Sequence, residues 1–438
     1  MKKAVLAAVV AAAAVGGVIL AIVLSGGSGG GNSSGDATTT GAQGTTTSAT
    51  TSGSTTRGET ATAGGTTTAA APPPPPRGPR ARTFVLGTVD DSLAQQGLSF
   101  TQAQVDASRD AGFGAAAVSA MWKQGQRRPP ASLVRVLGNV AAATKRDDMQ
   151  LVVVVWHGLG RDTPQTPAER ADFAAFSAAL VQALPHVRAV IVGNEPNLST
   201  FWKPQFGAGR SDLAARAYAD LLARTYDAIK AARPGVQVLG GALSPRGGDR
   251  PGGSRPTHSP TAFIRDLGAA YRASGRDRPF MDALAMHPYM QASRDSPSAR
   301  HADNTTITVA DYPKLVSLLT EAFRGTVQPG ARLPVYYTEF GVQTAVPAAK
   351  RHFYADLDSP ARTDSVSFDT QAAYYRRALE LAYCQPTVRG LFVFHTFDEP
   401  NLGGWQSGLY FADRTPKPSL PAFTRAVADL RSGRVHCR

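Results

Sequence analysis

The chain has 438 residues, a formal net charge of +13 from 46 Lys and Arg against 33 Asp and Glu, two cysteines and 43 glycines. The basic excess is arginine scattered along the chain, with no Lys/Arg block interleaved with aromatics; this excludes a nucleic-acid partner and leaves at most an attraction to an acidic polymer or membrane surface. Two cysteines make a poor metal cage and neither has a histidine at ligand spacing, so neither a metal site nor a nucleophilic thiol is expected.

At the amino terminus, Lys2 and Lys3 precede an uncharged apolar run from Ala4 to Leu24. A cleavable signal core has about 7–15 apolar residues and a bilayer span about 20, so residues 1–25 are expected to be a signal-anchor. The lysines mark the cytoplasmic end, which places the rest of the chain outside the cell, or secreted if the segment is cleaved. Residues 26–81 begin with Gly, Ser, Thr and Ala, too polar and too small to bury a core, and end in the five prolines Pro72–Pro76. That composition reads as a flexible tether and then a stiff polyproline spacer.

A single domain is expected over 82–438, within the length range of one barrel with insertions. Its strand-like runs are Phe84–Val89, Ala115–Met121, Leu151–Trp156, Ala189–Gly193, Val236–Ala242, Met281–Met286, Pro334–Thr338 and Gly390–His395. Helical periodicity fills the gaps at Thr101–Ala111, Leu133–Thr144, Pro167–Leu184, Ser211–Ala232, Thr261–Ala273, Tyr312–Arg324 and Thr370–Ala382, and Pro418–Leu430 closes the series. Eight such alternations predict an α/β fold, a closed (β/α)8 TIM barrel. A doubly wound open sheet is the alternative, but it leaves unexplained why polar residues end so many different strands.

Those ends carry Asp90 and Asp91, Trp122 and Lys123, Trp156 and His157, Asn194 and Glu195, His287 and Tyr289, Glu339, and His395 with Asp398. In a barrel they share one face, where active sites form. Aromatic faces beside polar groups suit pyranose rings. Glu195 and Glu339, about 140 residues apart and each ending a hydrophobic strand, supply the two carboxyls that double-displacement cleavage of a sugar bond requires. Export makes a disulfide between Cys384 and Cys437, pinning the carboxyl terminus, the natural reading of the two cysteines.

Asn194-Glu195-Pro196-Asn197 with Phe201-Trp202, His287-Pro288-Tyr289, Thr338-Glu339-Phe340-Gly341 and Gly408-Leu409 with Thr415-Pro416-Lys417-Pro418 resemble clan A glycoside hydrolases, in particular families 39 and 5. The resemblance covers essentially 82–430 and implies a retaining (β/α)8 enzyme without a metal or organic cofactor, acting on a β-linked oligo- or polysaccharide. It implies Glu195 as general acid/base and Glu339 as nucleophile. Asn194 resembles the residue that binds the sugar 2-hydroxyl, and His287 and Tyr289 the pair that orients the nucleophile. Subsite contacts are expected from His157, Trp156, Trp202, His395 and Trp405. Asp90, Asp91 and Asp398 either bind hydroxyls or cap helices. Two positions depart from the pattern: Phe394-His395-Thr396-Phe397 stands where many members have a strand 8 tryptophan, for which Trp405 is a substitute, and no strand 2 arginine lies near Trp122-Lys123. The loops 163–168, 246–261 and 291–308 are the expected cleft walls, and the protein is expected to be a monomer. A transglycosylase would use the same residues; a non-catalytic glycan-binding barrel or a structural surface protein are the other classes.

Overall fold

The computed structural model describes residues 84–437 apart from 96, 360 and 361; the expected anchor and tether lie outside the described residues. Among the described residues no helix is long and apolar enough to cross a membrane. The eight strands are β1 (Val85–Val89), β2 (Ala115–Met121), β3 (Gln150–Trp156), β4 (Val187–Val192), β5 (Gln237–Leu243), β6 (Ala283–Met286), β7 (Val335–Phe340) and β8 (Val388–Phe394). The helices that follow them are α1 (Leu98–Ala111), α2 (Ala131–Arg146), α3 (Pro167–Ala183), α4 (Leu213–Ala232), α5 (Pro260–Ala273), α6 (Tyr312–Ala322), α7 (Phe368–Cys384) and α8 (Leu420–Arg431). Each strand pairs in parallel with the next and β8 pairs with β1, closing the barrel. The open doubly wound alternative is thereby excluded.

Two apolar layers hold this arrangement. Outward-facing strand residues such as Val118, Val153, Val190 and Val238 pack with Phe173, Leu180, Leu222 and Phe263 of the helices. Inward-facing residues, among them Val152, Ile191, Leu239 and Phe392, fill the barrel. The filling is tight: a Cβ at Gly87 would lie 2.3 Å from the Phe392 ring, so the phenylalanine of β8 occupies the space that glycine leaves on β1. Capping chemistry sets where several helices start. Thr166 and Glu169 form a reciprocal capping box with Pro167 at the first turn of α3, and Ser259, accepting from Ala262 N–H, caps α5 ahead of Pro260.

The expected elements are present with shifted ends. The most consequential shift is in β7, which runs on to Phe340 and so carries Glu339 within the strand; pairing with β8 jumps register between Tyr337 and Phe340. A hydrophobic-run reading stops at Thr338 because a carboxylate looks like a strand's end. Cys384, the last residue of α7, is disulfide-bonded to Cys437.

Candidate active site

Gly193 follows β4 with a φ of +81° and donates its N–H to Val155 O on β3 at 2.8 Å. Glu195 follows with a φ of +38°, an uncommon conformation for a non-glycine residue and one that costs free energy. Its N–H is fixed to Ala242 O of β5 at 2.9 Å. Two residues on, the buried Asn197 side chain donates to Ser244 O and His258 O at 3.2 and 3.1 Å and accepts from Ser244 N at 3.0 Å. The segment after β4 is therefore stitched to the one after β5, which fixes the main chain that carries Glu195.

His287, just past β6, is 2% exposed. Its Nδ1 lies 3.2 Å from Glu195 Oε1 and 3.4 Å from Glu339 Oε2. One imidazole nitrogen thus touches both carboxylates, and the two facing oxygens lie within the sum of those lengths of each other. Tyr289 donates its hydroxyl to Glu339 Oε2 at 3.0 Å. Burial raises the Glu339 pKa to about 7, with the Glu195 charge adding to the rise while His287 and the Tyr289 hydroxyl oppose it. The two donors moderate the effect of burial on Glu339 without cancelling it. His287 moves the other way: burial disfavours its cation, but the Glu339 charge and the contact with Glu195 leave its pKa raised.

Around this centre the expected residues separate into those that face it and those that do not. Asn194 is half-buried and its side chain makes no hydrogen bond to a described residue. Trp405 packs beside Tyr289 at 5.1 Å between ring centroids and edge-on to Phe394 at 5.5 Å, so the loop after β8 brings a tryptophan to the barrel mouth. The indole N–H groups of Trp156 and Trp405 and Nδ1 of His157 are buried without a hydrogen-bond partner among the described residues. Burial pulls the pKa of His157 and of His395 down to about 4, so both imidazoles are neutral near pH 7.

Trp202 does not offer a face to a ligand. It is 1% exposed and wedged between His157 and Tyr218, at 5.4 and 5.7 Å between ring centroids. A tryptophan two turns beyond a strand-end acid is here a core residue of the outer layer. Asp398 is likewise structural: with Lys417 it forms a fully buried ion pair at 2.7 Å, and Tyr354 donates to its other oxygen at 2.8 Å. Asp90 takes the N–H groups of Ser92, Thr396 and Phe397 at 2.9, 3.1 and 3.2 Å, which makes it a cap joining the first and last strand ends. Asp91 accepts from Ser119 N at 2.7 Å, yet its charge also bears on His395 and Glu339.

Two residues near the centre carry no strand-end signal. Arg246, in the loop after β5, donates to Tyr289 O at 3.3 Å, and its charge interacts with Glu195. Glu399, just beyond the buried Asp398, holds Oε2 out of solvent with no partner among the described residues, and burial raises its pKa to about 8.

No protein-family model matches the chain, and no curated protein sequence is significantly similar. Solved structures are similar in fold. A family 39 glycoside hydrolase from the gut symbiont Bacteroides cellulosilyticus WH2 is 20% identical with a TM-score of 0.56, over 80% of this chain and 64% of that one. The chain thus spans somewhat less than two thirds of that enzyme's length. A family 5 subfamily 18 protein from Streptomyces cattleya, solved with Manβ1-4GlcNAc, is 18% identical with a TM-score of 0.54, over 80% and 81% of the two chains. A family 39 β-xylosidase from Caulobacter crescentus is 19% identical with a TM-score of 0.50, over 80% and 72%. The chain shares its closed (β/α)8 barrel with glycoside hydrolases of families 39 and 5.

Proposed function

We propose that the protein is a retaining glycoside hydrolase that cleaves β-linked glycans by double displacement, with Glu195 as acid/base and Glu339 as nucleophile. The observation that carries this reading is the single His287 nitrogen in contact with both carboxylates. It limits the separation of the facing oxygens to about the short end of the roughly 6.5–9.5 Å that an inverting enzyme needs for a water, and is compatible with the roughly 5–5.5 Å of direct attack. In the first step Glu339, ionised, bonds to the anomeric carbon while Glu195 gives its proton to the departing oxygen. Esterification then removes the Glu339 charge, and Glu195 takes a proton from the water that breaks the glycosyl-enzyme bond.

The surroundings suit this chemistry. His287 and the Tyr289 hydroxyl favour the ionised nucleophile that burial disfavours. The indole N–H groups of Trp156 and Trp405 and Nδ1 of the neutral His157 are buried without a partner among the described residues; polar atoms of this kind cost stability, which a sugar hydroxyl reaching them would recover. Asn194, with no protein partner among the described residues, suits the 2-hydroxyl. The apolar 1–25 segment and the 26–81 tether support a domain held outside the cell at its membrane.

Sugar release from a panel of β-glucans, mannans, xylans, galactans and wall glycans tests the reading, beside Glu339→Gln. Release by the parent alone, with the first product in the substrate's anomeric configuration by NMR, is the expected result. Binding of a polysaccharide by both proteins with no release by either would show a glycan-binding barrel instead. Products longer than the substrate would show transglycosylation.

A further inference from the structure

At the amino-terminal ends of α4 and α5, Asp212, His258 and Asp266 each offer a ligand atom within 4.8 Å of the others. Asp212 caps α4, taking Ala215 N–H on Oδ1 at 2.7 Å. The same oxygen is 3.3 Å from His258 Nε2, and the two side chains are only 2% and 3% exposed. The second Asp212 oxygen, Oδ2, is buried with no hydrogen-bond partner among the described residues. A desolvated carboxylate oxygen left without a donor is costly, and it is the acceptor a cation satisfies best. His258 Nε2–H donates to the Gln205 carbonyl oxygen at 3.0 Å, which also accepts from the main-chain N–H groups of Leu213 and Ala214, and Asp266 on α5 bounds the group toward solvent. A further carboxylate, Asp249, adds its charge to that of Asp266 at both Asp212 and His258.

We propose that Asp212, His258 and Asp266 bind a divalent transition cation of the zinc–manganese class. The donor set decides the class: calcium takes about six to eight oxygens, whereas one imidazole with two carboxylates suits zinc or manganese. Binding would use the Asp212 oxygen that now has no donor and His258 Nε2, the ion taking the place of the proton that Nε2 now donates to Gln205 O. The ion would be structural. His258 donates its main-chain N–H to Asn197 O at 2.9 Å, so a metal here braces the segment that carries Glu195 without touching the reacting atoms.

The test uses the full-length protein, stripped with a chelator and dialysed against micromolar zinc or manganese. Metal per protein is then read by mass spectrometry, and thermal unfolding is followed with and without the ion. The expected result is about one retained equivalent, a rise in Tm with metal, and affinity weakened about ten-fold or more by Asp266→Asn and by His258→Gln. Asp266 is exposed, so Asp266→Asn decides the matter if His258→Gln does not fold, and it should leave sugar release unchanged. Parent protein that retains neither ion, Asp266→Asn that binds as tightly as the parent, or an equivalent of calcium in place of both would overturn the assignment.

Discussion

Replacing Glu339 with glutamine should stabilise the protein, and increasingly so as the pH rises. Burial moves the Glu339 pKa from 4.5 to about 7, an interval that corresponds to roughly 3 kcal/mol at 1.36 kcal/mol per decade. The side chain is one-fifth exposed, and solvent screening trims the figure to about 2 kcal/mol. Because the folded-state pKa is the higher one, the unfolded chain ionises first as pH rises above 4.5. Folding is then progressively penalised until the native group also ionises, and the penalty is complete above about pH 7. Glutamine keeps the shape and a carbonyl oxygen for the Tyr289 hydroxyl but cannot ionise. Part of the penalty is already present at pH 5, so urea titrations of parent and Glu339→Gln at pH 5 and pH 8 should show the variant gaining about 1–1.5 kcal/mol relative to the parent between the two conditions. A pH-independent difference, or a variant less stable than the parent at pH 8, would refute the reasoning: attraction to His287 would then outweigh burial at this carboxylate.

Three more outcomes test the site and its frame. Glu195→Gln should lower kcat/KM by about 100- to 10,000-fold on a glycoside with a poor leaving group and far less on an activated aryl glycoside; equal losses on both contradict a proton-donating role. Because attack needs Glu339 ionised, log(kcat/KM) should climb with pH up to about 7, and Tyr289→Phe, which removes a hydrogen bond that favours the ionised form, should move that limb to higher pH. An unmoved limb would deny the hydroxyl any influence on the nucleophile. Lys417→Met should cost about 3–5 kcal/mol in urea unfolding because it strands the buried Asp398, and Asp398→Asn in the same chain should recover part of it.

Strand-end reasoning located Glu195, Glu339, His287 and Tyr289 because a barrel whose strands run in parallel delivers every such end to one mouth. It also gathered Asp398 and Trp202, since a residue's type near a strand end does not say which way its side chain turns. The partner that buries Asp398 is Lys417, 19 positions on in a proline-flanked stretch; a lone lysine there was the available signal, and it became legible only with the pair formed. Arg246 and the Asp212–His258–Asp266 group sit in loops and on helix surfaces, where neither period nor spacing foretells which residues meet. Asn197 belongs to the motif that was read, but its role depends on two carbonyls 47 and 61 residues away.

Asn197 donates to Ser244 and to His258, the residues that flank the 245–257 loop. One amide therefore ties off the neck of a surface excursion that carries Arg246 to within electrostatic reach of Glu195. Beyond such a knot, chain length is thermodynamically cheap, since doubling a loop adds only about 0.6 kcal/mol of closure entropy. The excursion is in that sense an interchangeable cassette: its length and composition can drift, or be exchanged by design, and so alter what reaches the cleft, while the acid/base carboxylate keeps its place.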